Sequence, residues 1–133
     1  MDKYDAYNKV KNDEYCSMYI EDNVIDKFNR ILQADLQNFK EEEIKTTGYA
    51  IDSLEASIWC FMNSSSYKEC VLKAVNLGGD TDTIASIAGG MAGIYYGFET
   101  IPEEWINEIV RKDDILILID KFSKIYGREL KNG

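Results

Sequence analysis

The feature that most constrains the fold is an apolar segment, residues 81–96, that is unusually rich in glycine and alanine. Gly89, Gly93 and Gly97 recur every fourth residue, so they share one face if the segment is helical. Each interior glycine costs about 1 kcal/mol of helix stability relative to alanine. We therefore predict a helix in the middle of a bundle, with a neighbouring backbone close to its glycine face. The alternative is a helix that merely tolerates glycine.

The rest of the sequence favours an all-α fold, a helical bundle of about five to six helices in one domain over residues 1–133. Apolar residues at steps of three and four predict an amphipathic helix from Asp22 to the acidic run at 41–43. Residues 1 to about 20 have weak periodicity and are expected to be loosely ordered, with one short helix at most. Further helices are predicted over 52–62, 67–76, 81–96, 102–112 and 115–126, with Asp113 or Asp114 capping the last.

The charge balance limits the partners of the chain. Its 133 residues carry 15 basic and 24 acidic side chains and no histidine, for a net charge of -9. Such a chain should repel nucleic acids and anionic membrane surfaces, because it has no basic excess to replace condensed counterions. An anionic ligand would need another source of positive charge, and a divalent cation held by carboxylates is the simplest.

The cysteines point to a reducing compartment. Cys16, Cys60 and Cys70 are odd in number and match no zinc-ligand spacing. The N-terminal residues are polar and show no signal segment, and the most apolar run, 84–96, is too short to span a bilayer. We expect free thiols and a cytoplasmic protein.

Clustered oxygen donors mark the candidate site. Asp80, Asp82 and Thr83 lie where the Gly78-Gly79 turn enters the predicted helix, so their side chains can converge on one point. Carboxylate and hydroxyl oxygens suit magnesium, manganese or calcium. Asp and Thr are also favoured caps at a helix start, so spacing alone leaves a capping role and a metal-binding role both open.

The segment from Leu77 to Ala85, followed by the glycine-rich helix, resembles the C-terminal signature of ADP-ribosylglycohydrolases. That family includes the dinitrogenase-reductase-activating glycohydrolase and the ADP-ribosyl-acceptor hydrolases. Upstream, the segment from Gly48 to Ala56, with Trp59 after it, resembles the helix that precedes this signature. The resemblance covers about residues 20–126.

The resemblance implies the C-terminal part of an all-α fold with a dinuclear magnesium or manganese site in a central cleft. Family members hydrolyse the bond between ribose C1″ of ADP-ribose and a side chain or small leaving group, so ADP-ribose or an ADP-ribosylated substrate is the implied partner. The implied metal ligands are Asp80, Asp82 and Thr83. The implied substrate-binding residues are Gly78 and Gly79, in the turn, and Gly48 and Tyr49, beside the ADP-ribose pocket.

The sequence also departs from the family. Intact members are longer, and their N-terminal half carries a glycine-aspartate-alanine segment and a threonine-aspartate-aspartate motif that complete the metal site. Neither occurs here, and no residue matches the essential acidic group. Lys112-Asp113-Asp114 looks superficially similar but is interpreted as a helix cap. We expect weak metal binding and an isolated chain that is inactive until an N-terminal chain completes its site. One alternative is a non-catalytic remnant that binds ADP-ribose or a partner. The other is a plain helical interaction module.

A partial bundle should also expose apolar surface. Without a second half, the glycine-rich helix and the helix that contains Trp59 would lose cover, and large exposed apolar patches usually pair with something. We therefore expect a homo-oligomer or a complementary chain.

Overall fold

A computed structural model describes residues 2–12 and 26–126 of the chain. All regular structure in these two ranges is helical, which confirms the all-α prediction. The α-helices are α1 (Lys3–Lys11), α2 (Asn29–Leu32), α3 (Ala50–Met62), α4 (Tyr67–Asn76), α5 (Thr81–Tyr96), α6 (Glu103–Glu108) and α7 (Lys112–Tyr126). Short 3-10 turns occur at Asp26–Phe28, Leu36–Asn38, Glu41–Glu43 and Phe98–Thr100.

The chain forms two compact units, one up to residue 100 and one from residue 101. In the first unit α3, α4 and α5 pack against one another. In the part of the chain that is described, no helix combines the length and apolarity needed to cross a membrane. The core of the first unit is built largely from small side chains, which lets these helices lie close together. Its fully buried members include Leu36, Ala56, Cys60, Cys70, Ala74, Ile84, Ala88 and Ala92.

Helices α4 and α5 begin and end where the sequence predicted. Ser66 caps α4, because its hydroxyl accepts a hydrogen bond from the Glu69 backbone N–H at 3.2 Å. The glycine face of α5 meets side chains of α4: a Cβ on Gly89 would lie 3.5 Å from a Val71 methyl, an ordinary contact. The predicted close backbone neighbour for this face is therefore wrong among the described residues, because α4 fills the space with its side chains.

The long amphipathic helix predicted from Asp22 is wrong from residue 26 onward; residues 22–25 lie outside the described ranges. The chain instead forms α2 between two 3-10 turns. Side chains of helix α1 donate to backbone carbonyls that would accept backbone N–H groups in one long helix. The Tyr7 hydroxyl donates to the Ile31 carbonyl at 2.5 Å, and Lys11 Nζ donates to the Ala34 carbonyl at 3.0 Å. Leu36 is fully buried. The apolar residues at steps of three and four therefore come from successive short turns that pack on the same core, not from one helix.

The second unit holds α6 and α7. Helix α6 ends before the predicted position, because Ile109 is extended and Arg111 adopts a left-handed φ of 60°. Helix α7 begins at Lys112, so the predicted cap is wrong, and Asp113 and Asp114 lie in its first turn. There Asp114 accepts a hydrogen bond from Arg111 Nε at 2.7 Å.

Candidate functional site

The candidate site is built on the turn that precedes α5. Gly78 and Gly79 both adopt left-handed backbone conformations, with φ values of 79° and 71°. Residues with a Cβ rarely adopt this geometry, and glycine does so freely. The turn places Asp80 at the N-cap position of α5 and Asp82 in its first turn.

A second segment lies directly against this turn. The Asp80 backbone N–H donates a hydrogen bond to the Thr46 carbonyl at 3.0 Å. A Cβ on Gly79 would lie 2.1 Å from the same carbonyl oxygen, so only glycine fits. The segment at 46–49 and the turn at 78–80, which are distant in sequence, are thereby held together.

The three oxygen-bearing side chains of the cluster converge. Thr83 Oγ1 donates a hydrogen bond to Asp80 Oδ1 at 3.1 Å, and the Thr83 backbone N–H donates to Asp82 Oδ1 at 3.0 Å. Asp80 stands at the N-cap position, yet its side chain accepts no capping hydrogen bond from a backbone N–H. Helix capping therefore does not account for the Asp80 carboxylate.

The two carboxyl groups also interact with each other. The pKa of Asp82 is lowered, first by a hydrogen bond from the Asp80 carboxyl and then by the backbone N–H groups of Thr83 and Asp82. Neighbouring carboxylates repel each other, and a bound cation would relieve that repulsion. Among the described residues, neither Asp80 nor Asp82 forms an ion pair with a basic side chain.

Gly48 is brought beside Asp80, whereas among the described residues no hydrogen bond joins Tyr49 to Asp80, Asp82 or Thr83. A Cβ on Gly48 would lie 3.8 Å from Asp80 Oδ2. Tyr49 is the N-cap residue of α3; its backbone N–H donates to Thr47 Oγ1 at 3.1 Å, and its side chain is 52% exposed.

The site is open rather than enclosed. Gly48, Gly78, Gly79, Asp82 and Thr83 are exposed, and Asp80 is half-buried. Within the described ranges, no group of three or more acidic or cysteine side chains is arranged to hold a metal. The cluster thus offers two carboxylates and one hydroxyl on an accessible surface.

The apolar surface that we expected a partial bundle to expose is present on α5, but the expectation is wrong for α3, the helix that contains Trp59. Trp59 is buried: its indole N–H donates to the Phe39 carbonyl at 2.8 Å, and the Lys73 ammonium lies 5.4 Å from its ring centroid. On α5, by contrast, Ile94 is 90% exposed and Gly90 faces open space.

The sequence reasoning missed three residues beside the turn: Thr46, Thr47 and Asp52. Thr47 Oγ1 donates to Asp52 Oδ2 at 2.6 Å, which ties the segment at 46–49 to the first turn of α3. Thr46 supplies the carbonyl described above. No spacing rule connects these residues to Gly79 and Asp80, which lie about 30 positions further along the chain.

Comparison with known proteins decides the family. The model of the family described as ADP-ribosylglycohydrolase matches residues 2–131. The chain belongs to the ADP-ribosylglycohydrolase family. It is 36% identical over 95 residues to the ADP-ribosylarginine hydrolase Tri1 of Serratia proteamaculans, a match that covers 69% of this chain and 26% of that protein.

Two other members of the ADP-ribosylglycohydrolase family are also similar. The chain is 29% identical over 118 residues to the ADP-ribosylhydrolase ARH3 of Bos taurus, covering 78% of this chain and 32% of that one. It is 29% identical over 75 residues to the ADP-ribosyl-[dinitrogen reductase] glycohydrolase of Rhodospirillum rubrum, covering 56% and 26%. The chain thus spans about a third or less of these relatives' lengths.

Proposed function

We propose that this chain supplies part of a magnesium- or manganese-dependent site that hydrolyses the ribose C1″ glycosidic bond of ADP-ribosylated substrates. The names of the relatives support the reaction class, since they include an ADP-ribosylarginine hydrolase and an ADP-ribosyl-[dinitrogen reductase] glycohydrolase. The observation that carries the proposal is the Asp80 carboxylate, which stands at the N-cap position but accepts a hydrogen bond from the Thr83 hydroxyl instead of capping.

The chemistry of the cluster fits a hard divalent cation. Asp80, Asp82 and Thr83 offer oxygen ligands of the kind that magnesium and manganese prefer. In the described part of the chain no basic side chain neutralises the two carboxylates, so a cation would relieve their repulsion. When bound, such ions polarise ribose hydroxyls and activate water.

The chain's own residues would hold and orient the reacting groups. The Thr46 carbonyl fixes the Asp80 backbone, so the carboxylate starts from a defined position. Gly48 and Gly78 carry no side chains and leave room for the ribose and diphosphate to approach the backbone. The exposed Tyr49 ring can lie against a ribose or base face.

The ligand set supports completion by another polypeptide. Three protein ligands leave half of an octahedral shell to water or to other groups, and metal bound in this way is held weakly. We therefore propose that the active form includes a complementary chain or segment that supplies the remaining ligands and the acidic group. The apolar surface around Ile94 on α5 offers a place for such an association.

A chimera tests the proposal. In the Serratia relative, the region that matches this chain is replaced by the corresponding residues of this chain, and release of ADP-ribose from an ADP-ribosylarginine peptide is followed with manganese present. We expect turnover, and Asp80→Asn in the chimera should reduce it at least about a hundredfold, because it removes a carboxylate ligand of the cation.

The matched control is Asp120→Asn, a carboxylate on α7 that accepts a hydrogen bond from Lys124. If Asp80→Asn and Asp120→Asn retained the same activity, the cluster would have no part in catalysis. A folded chimera with no turnover would favour the alternative of a non-catalytic remnant.

A further inference from the structure

The ammonium group of Lys3 is buried, although it lies on α1, a short and polar helix at one end of the chain. Lys3 is 8% exposed and is the only buried residue of α1. A lysine ammonium is strongly hydrated and is almost never buried without partners. The groups that replace its water therefore define a site.

Three oxygen atoms receive the three N–H donors of this ammonium. Lys3 Nζ donates to the Phe61 carbonyl at 2.9 Å, to the Ser64 carbonyl, and to the Tyr96 hydroxyl at 3.4 Å. The Tyr96 hydroxyl in turn donates to the Ser64 carbonyl at 2.9 Å. An ammonium has three donors and no acceptor, so this set satisfies it completely.

Aromatic rings complete the enclosure. The ammonium lies 5.4 Å from the Phe61 ring centroid, 5.5 Å from that of Tyr4 and 6.0 Å from that of Tyr96. Cations within about 6 Å of such ring faces are attracted by the ring quadrupole. Phe61 and Tyr96 meet edge-to-face, with 6.4 Å between centroids, so two of the walls brace each other.

Most of this enclosure does not belong to α1. The Phe61 carbonyl is among the last carbonyls of α3, which lack partners within the helix and lie at the negative end of its dipole. Tyr96 ends α5. In the described residues no carboxylate forms an ion pair with Lys3, so neutral oxygens and rings do the binding.

Apart from Lys3, helix α1 buries few side chains against the rest of the first unit. Its other anchors are also donors to backbone carbonyls: the Tyr4 hydroxyl donates to Met62, Tyr7 to Ile31 and Lys11 to Ala34. Tyr7 alone also packs at the edge of the core. The helix is thus attached through a row of polar contacts, with the ammonium as the most enclosed one.

We propose that the C-terminal end of α3 and Tyr96 form a binding site for a primary alkylammonium group, the end of a lysyl side chain, which Lys3 occupies in cis. The Phe61 and Ser64 carbonyls and the Tyr96 hydroxyl select a group with three N–H donors, and the rings select its charge. Lys3 attaches this end of helix α1 together with Tyr4, whose hydroxyl donates to the Met62 carbonyl. The site is separate from the metal cluster, and its failure would leave the proposed function untouched.

Chemical rescue tests the site. Lys3→Ala removes the side chain and vacates the enclosure, and n-butylammonium chloride is then added while the thermal midpoint is followed. We expect a saturable rise in the midpoint for Lys3→Ala and none for wild type or for Lys9→Ala, which removes an exposed lysine of the same helix. n-Butanol, which lacks the charge, and tetramethylammonium, which lacks N–H donors, should not rescue. Equal effects on all three proteins, or rescue by n-butanol, would overturn the proposal.

Acetylation of the wild-type protein provides a second measurement that does not depend on the folding of Lys3→Ala. With a limiting acetylating reagent, Lys3 should be modified at least about tenfold more slowly than Lys9, because its amine reacts only after local opening. Tyr96→Phe keeps the ring and removes one acceptor, so it should speed acetylation of Lys3 severalfold and leave Lys9 unchanged. Equal rates at Lys3 and Lys9 in the wild type would show that the enclosure does not exist.

Discussion

The Thr46 carbonyl accepts the backbone N–H of Asp80 at 3.0 Å and leaves no room for a side chain on Gly79. This contact fixes where the turn before α5 lies relative to the segment that leads into α3. Both segments carry residues of the candidate site, Gly48 and Tyr49 on one side and Asp80 on the other. The geometry of the site therefore depends on a backbone contact as much as on its carboxylates.

A pair of glycine variants tests this contact. Gly79→Ala would place a Cβ 2.1 Å from the Thr46 oxygen, whereas Gly78→Ala meets nothing within 4 Å. Both positions have left-handed φ values, so each variant should lose about 1–2 kcal/mol from backbone strain. Gly79→Ala should lose clearly more in urea unfolding, because the turn must also move. Equal losses would mean that the contact with Thr46 is not restrictive.

The ion pair between Arg30 on α2 and Glu55 on α3 should stabilise the first unit. Arg30 donates from Nε to Glu55 Oε2 at 2.9 Å and from Nη2 to Oε1 at 2.8 Å, and Glu55 is buried. Hydrogen bonding to Glu55 also raises the pKa of Arg30. Because Arg30 is partly exposed to water, Glu55→Gln should cost about 1–3 kcal/mol in urea unfolding, less than a fully buried pair would.

Asp114→Asn is the control for this pair, since it breaks the exposed contact between Arg111 and Asp114. It should cost less than about 0.5 kcal/mol, because solvent screens such pairs. A Glu55→Gln loss no larger than that of Asp114→Asn would refute a stabilising role for the pair of Arg30 and Glu55.

Alkaline pH should loosen α1 through Tyr7. Burial, and then the charges of Asp35 and Glu55, raise the pKa of the Tyr7 hydroxyl from 10.0 to about 12. The folded state holds this proton more tightly than the unfolded state does. The contribution to stability is therefore complete below pH 10 and is lost as the pH rises through about 12.

Tyr7→Phe isolates this effect. The free energy of unfolding of the wild type should fall more steeply between pH 10 and 12 than that of the variant, and the variant should lack one late-titrating phenol in ultraviolet absorbance. Parallel stability curves over this range would contradict a perturbed Tyr7.

The buried thiols should report on global opening. Burial raises the pKa of Cys60 to about 12 and also raises that of Cys70, and both are free and buried. Only the thiolate reacts with alkylating reagents. In a Cys16→Ser variant, which leaves these two thiols, iodoacetamide labelling at pH 8 should be slow and should accelerate at the urea concentrations that unfold the protein. Rapid labelling without urea would show that the α3–α4–α5 core opens readily.

The sequence predicted the central helices well because local signals agree there. Ser66 marks the start of α4, and Gly78 and Gly79 mark the turn before α5. The buried positions of α5 also recur with helical period. The region before α3 was mispredicted because the spacing of Ile31, Leu36 and Phe39 fits one long helix as well as several short turns. Hydrogen bonds from Tyr7 and Lys11, far away in sequence, decide between these possibilities.

The candidate site was only partly predictable. Asp80, Asp82 and Thr83 are adjacent in sequence, and the structure brings them together. The role of Thr46 could not be predicted, because it rests on a carbonyl that any residue carries. Whether Asp80 caps its helix also needed coordinates, since Asp suits both roles at that position.

Calorimetric titration of the chain with manganese tests the central claim most directly, with Asp80→Asn as the isosteric variant and Asp114→Asn as the control of equal charge change. We predict saturable binding to the wild type at millimolar metal or below, affinity at least about tenfold weaker for Asp80→Asn, and no change for Asp114→Asn. Identical isotherms for all three proteins, or no saturable heat for the wild type, would contradict a cation site at Asp80, Asp82 and Thr83.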